Sequence, residues 1–183
     1  LTVEAGGTTP TAVVSGSSNL NNGRVVDIHD GQLYLTSDRS GFSGLNTVGT
    51  GIPTAAGAPL TLVAAAPAGA SVAHDFAFAG EHLYVGYTEG ANEGIAKYRR
   101  TGATWTWVDT LPGDFWGLEA RPAGDDSVLY AVRGLNQGNE IVRIVDSGDD
   151  SAFTAQTDVL ATAAPQTAFR GVAFAPGFEP GTD

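Results

Sequence analysis

Arg24, His74, Trp116 and Arg170 stand at matched places in the chain, each just ahead of a short run of small and apolar residues. Two guanidinium groups, an imidazole and an indole converging on one point would bind an anionic or saccharide ligand. Arginine forks onto carboxylates or sulfates, and a Trp face stacks on a pyranose or a cation. The competing reading is structural: the arginines fill a channel and pair with acids of the same runs, Asp27 and Glu119.

Other residues carry chemistry less directly. Three histidines, His29, His74 and His82, lack any HxH or HExxH spacing, so each reads as a satisfied surface or channel histidine rather than a metal ligand. His74 is the best general base, because the adjacent Asp75 could orient its ring. In a catalytic reading Asp27, Glu119 and His74 are the candidate metal-ligand and base residues. Asp146, Asp149 and Asp150 offer oxygen ligands of the kind calcium takes, spaced by Ser147 and Gly148, but without the later Glu of an EF-hand. A plain hairpin turn is the favoured reading of them, as turn chemistry is of Asp125-Asp126 after Gly124. Gly102-Ala103-Thr104-Trp105 is similar to the end of the Asp-box of sialidase propellers, yet Arg100 and Tyr98 replace its Asp and Ser. It reads as a hairpin that sends Trp105 and Trp107 to one face of the next strand. Gly41-Phe42-Ser43-Gly44 is one residue short of a nucleophile elbow, and neither a P-loop nor a dinucleotide fingerprint occurs.

The elements that position these residues come from a repeat. Leu33-Tyr34, Leu83-Tyr84 and Leu129-Tyr130 lie 50 and 46 residues apart. Each Tyr is followed after eleven residues by Leu45, Ile95 or Ile141, and after fourteen by Val48, Tyr98 or Ile144. Short alternating strands with a period of about 40 to 50 residues are the signature of a radial array of four-stranded blades, a β-propeller. Alternation and turn residues place first strands at 25–28, 75–78, 117–121 and, a fourth time, 171–175. Second strands fall at 32–37, 82–87 and 128–133, third strands at 44–48, 94–99 and 140–145, and fourth strands at 60–64, 105–110 and 156–161. Helical periodicity is absent, so the chain is all-β.

Complete blades therefore occupy 24–64, 74–110 and 116–162. Residues 1–20, with strands at 1–5 and 11–15, read as the last two strands of a preceding blade, and 169–176 as the first strand of a following one. Joining the two ends would give a blade without its second strand, leaving unpaired ladder edges. The expectation is three complete and two partial blades, half of a seven- or eight-bladed propeller, completed by a complementary chain or by a second copy.

Composition narrows the partners. The 183 residues carry a formal charge of −11 with one lysine, Lys97, among nine basic residues, so nucleic acid and anionic membranes are disfavoured. There is no cysteine and hence no disulfide or thiolate chemistry. The longest weakly polar stretch, 60–70, is broken by Pro67 and falls far short of the roughly 20 residues of a membrane span. A start at Leu1 and the absence of methionine suggest a processed product or a fragment of a longer precursor.

The stretches 49–57 (GTGIPTAAG), 146–154 (DSGDDSAFT) and especially 168–176 (AFRGVAFAP) resemble the C-terminal half of a family of secreted bacterial propeller proteins, some of which carry PEP-CTERM-type sorting tails. The resemblance covers most of the chain and implies export, to the medium or the cell surface, and a precursor about twice this length. It implies no activity. The expected function is a non-enzymatic extracellular binding or scaffold module without a resident cofactor. The alternatives are a channel-mouth enzyme of the calcium-dependent hydrolase or lyase type, and a structural subunit of a surface layer or filament.

Overall fold

The computed structural model describes residues 7–14 and 22–175, and these are all-β, with twelve strands in three four-stranded antiparallel sheets. The first sheet is β1 (Gly23–His29), β2 (Gln32–Ser37), β3 (Gly44–Val48) and β4 (Leu60–Ala65). The second is β5 (Ala70–Ala79), β6 (His82–Gly90), β7 (Gly94–Thr101) and β8 (Thr104–Pro112). The third is β9 (Phe115–Ala123), β10 (Asp126–Arg133), β11 (Glu140–Asp146) and β12 (Ala155–Thr162). Within each sheet, strands neighbour one another in chain order, which short hairpins between alternating strands produce. The β1–β2 turn shows the local cause: Asp30 and Gly31 have φ of 48° and 71°, the left-handed pair that an Asp-Gly hairpin supplies.

The sheets stack face to face in sequence order. Period-2 alternation sends Tyr34 and Leu45 forward from the first sheet, where they meet Phe76, Phe78, Leu83, Val85 and Tyr98 of the second. Tyr84 and Ile95 point forward from the second sheet onto Leu129, Val142, Ile144 and Phe153 of the third. Leu35 and Val48 point backward from the first sheet and pack on Val13. The Leu-Tyr pairs thus work alike in the first two sheets, with the Tyr facing the following sheet, and Tyr130 of the third sheet meets Phe174 instead. Residues eleven and fourteen positions beyond each Tyr lie on opposite faces of the third strand. Leu45, Val48, Ile95, Tyr98 and Ile144 are buried, and Ile141 is partly exposed.

Some expectations are corrected. Residues 171–175 form no strand, because no second strand lies beside them to complete a ladder among the described residues. Phe174 nevertheless packs edge-on against Tyr130, with ring centroids 5.8 Å apart, as Phe78 packs against Tyr34 at 5.0 Å. β5 begins five residues before the expected 75, since a bulge between Ala73 and Asp75 interrupts its alternation. Trp105 packs on Phe78, at 5.5 Å, but Trp107, farther along the outermost strand, is exposed and donates from Nε1 to Thr110 Oγ1 at 3.1 Å. Of the expected preceding partial blade, Thr11 makes an isolated bridge and the Val13 carbonyl accepts from Ala58 N at 3.0 Å; 1–5 and residue 15 lie outside the described residues, as does 176.

Candidate functional site

The first strands of the three sheets adjoin, β1 beside β5 and β5 beside β9, and this line holds most of the residues singled out by the repeat. His74 and Trp116 are in ring contact, with centroids 3.9 Å apart and planes at 57°. Burial lowers the His74 pKa, and the Arg24 charge lowers it further, so Arg24 lies within electrostatic reach of the imidazole. The Trp116 indole Nε1 is buried and has no hydrogen-bond partner among the described residues. Arg170 is exposed, on a stretch that passes directly over β9: a Cβ on Gly117 would stand 2.7 Å from the Gly171 Cα. Of the four expected ligand contacts, His74 and Trp116 touch, the Arg24 charge reaches His74, and the Arg170 stretch adjoins Trp116 through the backbone of Gly117 and Gly171.

Arg24 does not pair with Asp27. Its Nη2 instead bonds Asp38 Oδ2 at 2.9 Å, just past the end of β2. Nor does Asp75 orient His74. Its Oδ1 accepts from Phe76 N and its Oδ2 from Leu118 N, both at 2.9 Å, so the carboxylate ties β5 to β9. Burial pushes the Asp75 carboxyl up to about 6 against these two hydrogen bonds, and the charges of Glu119 and Asp27 add to the rise. Glu119 is raised as well, by burial first, while the N–H groups of Ala120 and Phe174 and the Asp27 charge act in smaller measure. Asp27 accepts from Ile28 N at 2.7 Å. Three carboxylates on three successive first strands therefore share one field, directly beside the His74–Trp116 pair.

The acidic loop after β11 does not gather its carboxylates. Lys97, fully buried on β7, reaches across to it and places Nζ 2.6 Å from Asp146 Oδ2, 2.7 Å from the Asp149 carbonyl and 3.1 Å from that of Ala152. The ammonium thus sits where the calcium reading would have put the ion. Tyr84 donates to the same Asp146 oxygen at 2.7 Å. Asp149 turns its carboxylate to the N–H and hydroxyl of Ser151, which hold its pKa down, and Asp150 bonds His82 Nε2 at 2.9 Å. His29 stacks on Phe78 at 4.1 Å, with Nε2 3.5 Å from Asp30. Among the described residues, no three His, Asp or Glu side chains are grouped to hold a metal ion.

Sequence reasoning missed the roles of Lys97, Asp38 and Asp75. The repeat held a signal for Lys97: thirteen residues after each Tyr stand Thr47, Lys97 and Arg143, and sixteen after stand Thr50, Arg100 and Asp146. A long cation at one place and an acid at the other mark an inter-sheet pair. No family model matches the chain, and no curated protein is found similar to it.

Proposed function

We propose that the chain is a secreted, non-enzymatic β-propeller module that binds a saccharide where Arg24, His74, Trp116 and Arg170 adjoin, and that a complementary chain completes the ring. The observation that carries this reading is an equivalence of faces. Tyr130 and Arg143 stand on the forward face of the third sheet where Tyr84 and Lys97 stand on that of the second, and Phe174 already takes the place of a next first strand. A face built to receive another sheet of the same repeat fits such a sheet best. Backward from the first sheet, Val26 and Ile28 are 59% and 49% exposed, an apolar edge of the kind that another sheet covers.

The partner's chemistry follows from the same equivalence. Lys97 is met by Asp146, so a sheet docking on Arg143 is expected to offer an acid sixteen residues after its own Tyr. The first sheet of this chain has Thr50 there, which favours a complementary chain over a second copy. An apolar indole beside a neutral imidazole suits a sugar ring. The neighbouring Asp27, Asp75 and Glu119 disfavour an anion, since like charges repel at short range. Export rests on the family resemblance alone.

Native mass spectrometry of the purified material, with denaturing spectra of the same sample, tests the assembly. A second, different chain of similar size is expected. A mass equal to this chain alone overturns the proposal, and an open-ended ladder of masses points to the filament reading. Saccharide binding lost in Trp116→Ala but kept in Trp107→Ala tests the site. The raised Asp75 favours a second reading, an acid–base enzyme working on that line of carboxylates. Stabilisation by calcium, abolished in Asp75→Asn, would favour it over a binding module.

A further inference from the structure

The two sheet interfaces are filled differently at one equivalent place. Between the second and third sheets, Lys97 and Asp146 occupy it. Between the first and second, the same repeat positions carry Thr47 and Arg100. Thr47 is too short to cross the gap, and a cavity of about 370 Å³ remains, lined by Tyr34, Thr47, Arg100, Trp105, His29 and Asp30 among others. That volume lies in the range of roughly 300–1,000 Å³ usual for small-ligand sites.

What the cavity lacks identifies what it would take. In the filled interface, Tyr84 donates to the Asp146 carboxylate and a cation pairs with it. In the open one a phenol, Tyr34, and a cation, Arg100, line the same cavity without a carboxylate between them. The Arg100 side chain bonds only the Gly102 carbonyl, through Nε at 3.4 Å, and makes no ion pair among the described residues. The Tyr34 hydroxyl makes no hydrogen bond among them; burial raises its pKa, the Arg100 charge acts against that rise, and the Asp30 charge adds to it. Trp105 supplies an aromatic wall, and Asp30, exposed at the rim, an acceptor for hydroxyl groups.

We propose that this cavity binds a sugar acid of hexuronate size, its carboxylate on Arg100 and Tyr34 in the space that the Lys97 side chain fills one sheet further on, its ring against Trp105 and its hydroxyls on Asp30. The site is distinct from the His74–Trp116 line and needs no partner chain, so it stands or falls separately from the propeller reading.

Titration of the isotope-labelled chain with D-glucuronate, with D-glucose and acetate as controls, tests it by backbone amide shifts. Glucuronate is expected to move the amides of Thr47, Arg100 and Trp105, and the controls to act at least about tenfold more weakly, the worth of a charge-assisted pair. Arg100→Gln, an exposed substitution that keeps the fold, is expected to weaken glucuronate by a similar factor. Thr47→Lys, which rebuilds the neighbouring interface's occupant, is expected to abolish it. Absence of shifts, shifts confined to other residues, equal binding of glucose, or unchanged affinity in Arg100→Gln overturns the proposal.

Discussion

Lys97 and Asp146 form a wholly buried ion pair, 2.6 Å from Nζ to Oδ2, that joins the second sheet to the third across 49 residues of chain. Neither charge faces water, and each has further partners: two carbonyls for the ammonium and the Tyr84 phenol for the carboxylate. A pair of this kind is costly to break, because removing one member strands the other in low dielectric. Lys97→Met is therefore expected to destabilise the chain by about 3–5 kcal/mol, as read by urea unfolding. The double variant Lys97→Met with Asp146→Leu is expected to recover much of that loss. A single substitution that leaves stability unchanged would show the pair to be energetically idle.

Asp75 gives the fold a pH dependence. Its carboxyl rises from 3.8 to about 6 on folding, so the folded chain holds this proton more tightly than the unfolded chain does. The stability so conferred is fully present below about pH 4 and is lost as pH rises through about 6, by at most about 3 kcal/mol. Asp75→Asn should flatten that part of the stability profile, measured by thermal unfolding from acid to neutral pH.

Tyr98 is a smaller test of buried polar pairing. Its hydroxyl lies 2.9 Å from that of Tyr87 and donates to the Ala65 carbonyl at 3.0 Å, linking the first and second sheets. Tyr98→Phe keeps the ring and removes both bonds. The expected loss is about 1–3 kcal/mol in equilibrium unfolding, the cost of leaving buried partners unsatisfied.

Val26 and Ile28 separate folding from assembly. Both are largely exposed, so Val26→Lys with Ile28→Glu should change the chain's own unfolding free energy by no more than about 0.5 kcal/mol for each residue. The same pair is expected to abolish the two-chain complex that the proposed assembly predicts in native mass spectra. Assembly that survives it would move the contact elsewhere.

Much of the fold is legible because the repeat is written in large residues. The Leu-Tyr pairs fix β2, β6 and β10, and apolar positions at set distances beyond them fix β3, β7 and β11. The early start of β5 was hidden by its bulge, where Asp75 and Ala73 break strict alternation. The residues of the first-strand line were found by alignment, but their pairings were not. Arg24 takes Asp38, fourteen residues away, and Asp75 takes the Leu118 amide of another sheet. Such choices depend on the twist and spacing of sheets, which composition and period leave open. Lys97 was visible as the only lysine, yet its burial follows from a carboxylate and two carbonyls contributed by a distant loop.

Each sheet completes its backbone ladder internally, and the interfaces between sheets are made chiefly by side chains and by a few side chain to backbone bonds such as Asp75 to Leu118. Resistance to opening is then close to a sum of one contribution per sheet and one per contact between neighbours. The two contacts are unequal, because one holds a buried ion pair where the other holds the 370 Å³ cavity. Amide hydrogen exchange should accordingly see two cooperative units, with β1–β4 detaching at lower free energy than the β5–β12 pair. A ligand seated in the cavity would close that difference and make the three sheets open as one.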